Sequence, residues 1–157
     1  MKAKSVHTQR RYSRPVSDSQ LGPLVATLYE LQSAYLEPKL KAAGIRWTTF
    51  QLLAAVIGAG DQASQAEIAR RLAVAPATLS EAVQTHVRQG LLIQAPAPTD
   101  RRKKILQLTP EAKRKMSKVA VHVQTLEQLL TASISPKLIA ETETALEKMV
   151  QNLENHL

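Results

Sequence analysis

Apolar side chains recur along much of this chain in steps of three and four residues, the spacing that places them on one face of an α-helix. The first such helix is predicted from about Asp18 to near Gly44, a glycine suited to the C′ position. A second helix follows, with Thr48 as its expected N-cap, and Gly58 and Gly60 are expected to stop it.

Two shorter helices joined by a tight turn are predicted next. Ser64 and Glu67 have the spacing of a capping box, in which the Ser hydroxyl accepts a bond from the Glu amide and the Glu side chain reaches back. Pro76 suits the first position of the following helix, which should run to about Gln89 and end at Gly90.

A β-hairpin with a long loop is predicted after these helices. Residues 91–94 are short, apolar and β-compatible, and residues 104–108 alternate in part between apolar and polar. Residues 96–100 contain two prolines and are expected to be irregular. The descending side of the loop carries four consecutive basic residues: Arg101, Arg102, Lys103 and Lys104.

Two further amphipathic helices complete the pattern. Thr109-Pro110 and Ser135-Pro136 each combine an N-cap residue with a proline at the first helical position. A small domain rarely needs two more long helices for its own core, so we interpret part of their apolar surface as a homodimer interface. The predicted fold class is mainly α with a small β-hairpin wing, flanked by N- and C-terminal dimerisation helices.

Composition and charge favour a nucleic-acid partner. The net charge is +8, with five basic residues and no acid in residues 1–16, and nine basic residues against Asp100 and Glu111 in residues 86–118. Such clustering is typical of nucleic-acid binders. The chain has no Cys, which excludes disulfides and thiolate metal sites, and no apolar run near 20 residues, so we expect a cytoplasmic protein without a membrane partner.

The helix that begins at Pro76 is the candidate recognition helix, because the second helix of a helix-turn-helix enters the major groove of DNA. Small side chains there let the backbone approach closely, while hydroxyl and amide groups can bond to base edges or phosphates. An ordinary solvated helix face has a similar composition. The candidate residues are Ala77, Thr78, Ser80, Glu81, Gln84, Thr85 and Arg88.

The hairpin tip is the second candidate DNA-binding element. Arg101 and Arg102, followed by Lys103, can insert a guanidinium into the minor groove, where the potential is most negative. Asp100 can hold one Arg by a bidentate pair. The alternative is a solvated charged loop, but its place directly after a helix-turn-helix and a strand favours DNA binding.

Residues 64–116 resemble the MarR (multiple antibiotic resistance regulator) family of winged helix-turn-helix transcriptional regulators. The resemblance implies a homodimer that binds a pseudo-palindromic operator, with Asp100 and Arg102 as the wing pair and Thr78 and Ser80 as DNA contacts. It is carried by residues 65–72, 74–80, 90–92 and 99–104, followed by 108–112.

The recognition helix departs from the family pattern. Glu81 stands where the family usually has Arg, Gln84-Thr85 stand where Asp-Arg are common, and His86 stands where Leu is usual. Either the protein prefers a different DNA sequence from its family, or the wing and the basic arm supply most of the affinity for DNA. An alternative function is therefore a winged-helix protein-interaction module that has lost sequence-specific DNA binding.

Other chemistries find little support in the sequence. The four His residues are scattered and have no ligand spacing, so we expect no metal and no cofactor. No nucleophile elbow or phosphate loop is present, which argues against an enzyme. A small apolar or phenolic effector is a further candidate partner, for which Tyr29, Tyr35 and Trp47 are the candidate ligand-binding residues.

These interpretations divide the chain into four parts. A flexible basic arm is expected at 1–16 and an N-terminal dimerisation helix at 17–46. The winged helix-turn-helix domain is expected at 47–110 and the C-terminal dimerisation helices at 111–157. The expected function is that of a DNA-binding transcriptional regulator, and a repressor in particular.

Overall fold

The computed structural model describes residues 20–60, 63–97 and 104–156, and within these ranges it is mainly helical. Six α-helices and one two-stranded antiparallel hairpin follow one another along the described chain. Their bounds are α1 Leu21–Ala42, α2 Trp47–Ala59, α3 Gln65–Arg71, α4 Pro76–Arg88, β1 Leu92–Pro96, β2 Lys104–Leu108, α5 Pro110–Thr131 and α6 Pro136–Glu154.

Several predicted helix ends are confirmed. Thr109 accepts from the Ala112 amide at 3.2 Å, and Ser135 accepts from the Leu138 amide at 3.3 Å. Gly44 follows the C-cap of α1 with a φ of +67°, a conformation that costs glycine little.

Two local predictions are wrong. Arg46, with extended backbone and no side-chain cap, is the N-cap of α2, so Thr48 lies inside its first turn.

The second wrong prediction is the irregular backbone at Pro96. Strand β1 extends through Pro96, which pairs with Lys104 at the loop end of the hairpin. A proline is tolerated there because β1 is an edge strand, and its outer side forms no ladder with another strand of the described chain. The hairpin register runs from this pair to Leu92 opposite Leu108.

Two apolar clusters form the core. The first joins α2, α3, α4 and the hairpin, and Leu53, Ile68, Val83 and Leu106 within it are fully buried. The second joins α1 and α5 and includes Leu36, Leu40, Ile45, Val119 and Leu126.

Helix α5 connects the two clusters. Its first turn buries Ala112 in the first cluster, its later turns bury Val119 in the second, and Met116 packs against both. A movement of α5 therefore affects both cores.

The last helix stands apart from both cores. No residue of α6 is buried, although Leu138, Leu146, Val150 and Leu153 are large apolar side chains. Helix α1 is also exposed along its first half, where Leu24 has 59% and Leu31 has 62% of its surface open. Among the described residues, no helix is both long and apolar enough to cross a lipid bilayer.

Candidate nucleic-acid interface

Helices α3 and α4 form a helix-turn-helix on one side of the first cluster. Ser64 caps α3 and accepts from the Glu67 amide at 3.2 Å, which confirms half of the predicted capping box. The Glu67 carboxylate does not reach back to the cap; it pairs instead with Arg71, one turn on, at 3.0 Å. The turn passes through Ala73, which has a φ of +51°.

Two buried side chains fix the orientation of α4. Leu79 and Val83 are 2% and 0% exposed, so this side of the helix faces the core. The opposite side faces solvent. Of the seven predicted recognition residues, five are exposed and two, Ser80 and Thr85, are half-buried at its edges. The exposed ones are Ala77, Thr78, Glu81, Gln84 and Arg88.

The exposed side of α4 is small, polar and electrically almost balanced. One negative charge, on Glu81, and one positive charge, on Arg88, lie on this side seven residues apart. The Arg88 guanidinium donates to the Thr85 hydroxyl at 3.3 Å, which holds it along the last turn. Ala77 and Thr78 at the beginning of the helix leave the backbone accessible to a close partner.

His86 links this helix to α2. Its Nδ1 lies 2.6 Å from the carbonyl oxygen of Ala82, and its Nε2 lies 3.0 Å from Oγ1 of Thr49. The neutral tautomer with a proton on Nδ1 donates to the carbonyl and accepts from the hydroxyl. The sequence showed His86 at a position where the family usually has Leu, but it gave no sign of Thr49 as its partner, because 37 residues separate the two.

The hairpin lies beside the helix-turn-helix and is bonded to it. Ser64 forms a β-bridge with Ile105, and the Leu106 amide donates to the Ala63 carbonyl at 2.9 Å. The Thr109 hydroxyl also donates to the carbonyl of Gly90 at 2.7 Å. The end of α4 and the hairpin are therefore held as one unit, a link that no periodicity in the sequence indicates.

The predicted wing residues Asp100, Arg101, Arg102 and Lys103 lie outside the described residues. The strand pair that carries them is described, and it runs as far as Pro96 and Lys104. Lys104 is exposed at the end of β2 nearest to the loop.

Two of the three predicted effector residues, Tyr29 and Trp47, contact each other, and the third, Tyr35, lies farther along α1. Tyr29 accepts from Trp47 Nε1 at 3.0 Å and from Gln51 Nε2 at 3.3 Å, which ties α1 to α2. Tyr35 is half-buried against the second cluster, and the Lys39 ammonium lies 3.8 Å from its ring centroid.

An apolar groove lies between α2, β2 and α5, and none of the three predicted effector residues lines it. It has a volume of about 960 Å³ and is open to solvent along one side. Ala54 and Ala120 are two of the small side chains that line it, and Phe50, Leu106, Met116 and Val123 supply much of its apolar wall. Trp47 lies outside it, with its ring centroid 5.6 Å from that of Phe50.

The part of the chain that the structure describes contains no candidate metal site. Residues 20–60, 63–97 and 104–156 contain no group of three or more His, Cys, Asp or Glu side chains placed to hold an ion. What these residues do present is a polar recognition-type helix, a rigidly attached hairpin and an apolar groove behind them.

Known proteins share this arrangement. The model of the MarR family matches residues 43–103, which contain α2, α3, α4 and β1. A search of curated proteins gave no match to the sequence. The match of the family model confirms the resemblance that the sequence motifs indicated.

Solved structures agree over nearly the whole chain. The transcription regulator MarR from Oenococcus oeni PSU-1 is 17% identical, with a TM-score of 0.72 over 83% of this chain and 98% of that one. CouR from Rhodococcus jostii RHA1, bound to p-coumaroyl-CoA, is 19% identical, with a TM-score of 0.73 over 88% and 96%. A mutant MarR from E. coli, complexed with operator DNA, is 24% identical, with a TM-score of 0.64 over 85% and 99%. These similarities establish the winged-helix fold of the chain.

Proposed function

Since residues 43–103 match the MarR family and the described chain has the fold of MarR transcription regulators, we propose that this protein regulates transcription by binding duplex DNA as a homodimer. In this proposal α4 enters the major groove and the hairpin reaches the adjacent backbone and minor groove. We propose a repressor, because a regulator that covers its operator blocks access to it.

The observation that carries the proposal is the way α4 is presented. Leu79 and Val83 are buried on its inner side. The bonds from Leu106 to Ala63 and from Thr109 to Gly90 hold the helix-turn-helix and the hairpin in a fixed relative orientation. A rigid, narrow, polar helix face beside a hairpin fits a groove about 12 Å wide. The similar E. coli protein is complexed with operator DNA.

The charge distribution supports the same partner. The predicted wing residues Asp100, Arg101, Arg102 and Lys103 directly precede β2 in the sequence, and its first residue, Lys104, is exposed. We assign Arg102 to the minor groove and Asp100 to its bidentate partner. The basic arm at 1–16 adds phosphate contacts.

A second copy of the chain is the proposed partner of α1 and α6. Most of the stability of a helix in a protein comes from packing of its apolar face, and α6 buries none of its large apolar residues within one subunit. Pairing with α1 and α6 of a second copy removes these side chains from water. We therefore retain 17–46 and 111–157 as dimerisation regions around the DNA-binding domain at 47–110.

The groove between α2 and α5 is the proposed effector site. Its size is within the range of small-molecule pockets, and its walls are mostly apolar. The similar protein CouR binds p-coumaroyl-CoA, which has an apolar phenolic part. Trp47 contacts this wall through Phe50 and would report occupancy, while Tyr29 and Tyr35 stay candidates for contacts made by a second ligand group.

Selection of bound sequences from a pool of random DNA duplexes tests the DNA-binding function. The proposal expects enrichment of a pseudo-palindrome whose half-sites lie roughly 10 bp apart, one turn of DNA. Arg102→Ala should weaken binding of the enriched duplex. Failure to enrich any sequence, with a stable dimer present, would favour the alternative of a protein-interaction module.

A further inference from the structure

Glu81 occupies the centre of the exposed side of α4. It lies two residues after Leu79 and two before Val83, which are both buried. Each step of two residues turns the helix by about 200°, so Glu81 points away from the core along the line that bisects the opposite side. A groove that receives α4 therefore receives the Glu81 side chain near its middle.

No cation neutralises this carboxylate within the described chain. Its helical neighbours three and four residues away are Ala77, Thr78, Gln84 and Thr85, and none of them is charged. The ion pairs found among residues 20–60, 63–97 and 104–156 involve Glu67, Glu111 and Glu141.

The nearest basic residue farther along the same side is also engaged elsewhere. Arg88 lies about 10 Å along the helix axis from Glu81, at 1.5 Å per residue, and its guanidinium donates to Thr85. Among the described residues, no charged group competes with a partner for the Glu81 carboxylate.

Such a carboxylate restricts which base pair can lie opposite it. Guanine presents the acceptors O6 and N7 in the major groove, and thymine presents the acceptor O4, so both repel a carboxylate. Adenine presents a donor beside the acceptor N7, which opposes the second carboxylate oxygen. Cytosine presents the N4 amino donor without an adjacent acceptor on the same base.

We propose that Glu81 is a specificity-determining residue that accepts a hydrogen bond from the N4 amino group of cytosine and selects a C·G pair in each half-site. This inference rests on the proposed DNA-binding function. The Glu81 side chain reaches a base edge only if the backbone of α4 comes close to the DNA. Ala77 and Thr78, one turn earlier on the same side of the helix, are small enough to allow this close approach.

The proposal also accounts for the balanced charge of the helix. A carboxylate near phosphates weakens binding to every sequence, and only a donor on a base edge offsets that cost. Glu81 would thus lower affinity for non-specific DNA while leaving the correct site bound. The wing and arm supply the attraction to the backbone that α4 lacks.

The test is duplex selection with the full-length wild type, Glu81→Ala and Glu81→Gln, and with Gln84→Ala as the matched control. The wild type should require cytosine at one position of each half-site, by about 5- to 150-fold over other bases. Glu81→Ala should lose that preference and keep all others. Glu81→Gln should move the preference to adenine, because Gln pairs bidentately with adenine N6 and N7.

The control and the contradicting results separate the two proposals. Gln84→Ala should leave the cytosine preference intact and change a different position. If Glu81→Ala raises affinity for all duplexes equally and keeps the same consensus, Glu81 only repels phosphate and the inference is wrong. If the wild type selects no sequence at all, the DNA-binding function itself fails. Thermal unfolding should be similar for all four proteins, since both side chains are exposed.

Discussion

His86 on α4 and Thr49 on α2 form a hydrogen bond of 3.0 Å between Nε2 and Oγ1, with Ala82 bonded to the other ring nitrogen. This contact joins the proposed recognition helix to the helix that lines the apolar groove. It is a direct polar link between two elements that a regulator has to move together.

The contribution of this link to stability can be measured. Thr49→Val removes the hydroxyl and should lower the free energy of unfolding by about 1 kcal/mol, as expected for a half-buried hydrogen bond. Thr48→Val, at the exposed neighbouring position, should change it little. Urea unfolding of both variants, of His86→Leu and of the Thr49→Val/His86→Leu pair gives the coupling energy. Strictly additive losses would show that the bond is not formed.

The turn of the helix-turn-helix stores backbone strain at Ala73. Its φ of +51° is unfavourable for a residue with a Cβ and favourable for glycine. Ala73→Gly should therefore raise the free energy of unfolding by about 0.5–1 kcal/mol, although glycine also loosens the unfolded chain. Ala77→Gly, within α4, should lower it by about 1 kcal/mol. A loss of stability in both variants would contradict the strain at the turn.

The proposed dimer interface depends on the apolar side of α6. Leu146 is 40% exposed within one subunit and lies at the centre of that side, between Leu138 and Leu153. Leu146→Asp should raise the dimer dissociation constant by at least about 100-fold, because two leucines are lost and two charges are buried in a symmetric interface.

The matched control for this variant is Thr144→Asp, on the opposite side of α6. Thr144 is exposed and its hydroxyl donates to the carbonyl of Ala140 on the same helix, so the charge should stay in water and the dimer should persist. Sedimentation equilibrium of the three proteins measures the difference. A wild-type monomer, or a Leu146→Asp dimer of normal affinity, would refute the proposed interface.

The groove should bind apolar ligands, and ligand binding should change the affinity of the protein for DNA. Ala54 faces it from α2, so Ala54→Phe should fill part of its volume and abolish quenching of Trp47 fluorescence by p-coumaroyl-CoA or simple phenolic acids. Thr48→Ala, on the exposed side of the same helix and outside the groove lining, should leave the quenching intact. A ligand that releases DNA equally well from wild type and Ala54→Phe would place the effector site elsewhere.

Local signals in the sequence were sufficient for most of the helices. The caps at Ser64, Thr109 and Ser135 were predictable because a cap is a contact between residues only three positions apart. Thr48 was a wrong choice of cap because the helix is capped two residues earlier, at Arg46, directly after Ile45 is buried in the second cluster. That choice depends on packing between α1 and α5, which local composition does not record.

The features that the sequence did not reveal are contacts between distant residues. Ser64 and Ile105 form a bridge, and His86 meets Thr49, although neither pair belongs to one periodic pattern. The groove has the same origin, since its walls come from α2, β2 and α5. The exposed position of Glu81 was predictable, because Leu79 and Val83 already mark the buried side of α4.

The salt dependence of affinity for the selected duplex tests DNA binding through the basic wing and arm most directly. With six to ten phosphates neutralised by Lys and Arg, the association constant should fall by about 10³- to 10⁵-fold between 50 and 200 mM salt. Arg102→Ala should make the slope of log affinity against log salt shallower. An affinity that does not change with salt would contradict binding through these basic residues.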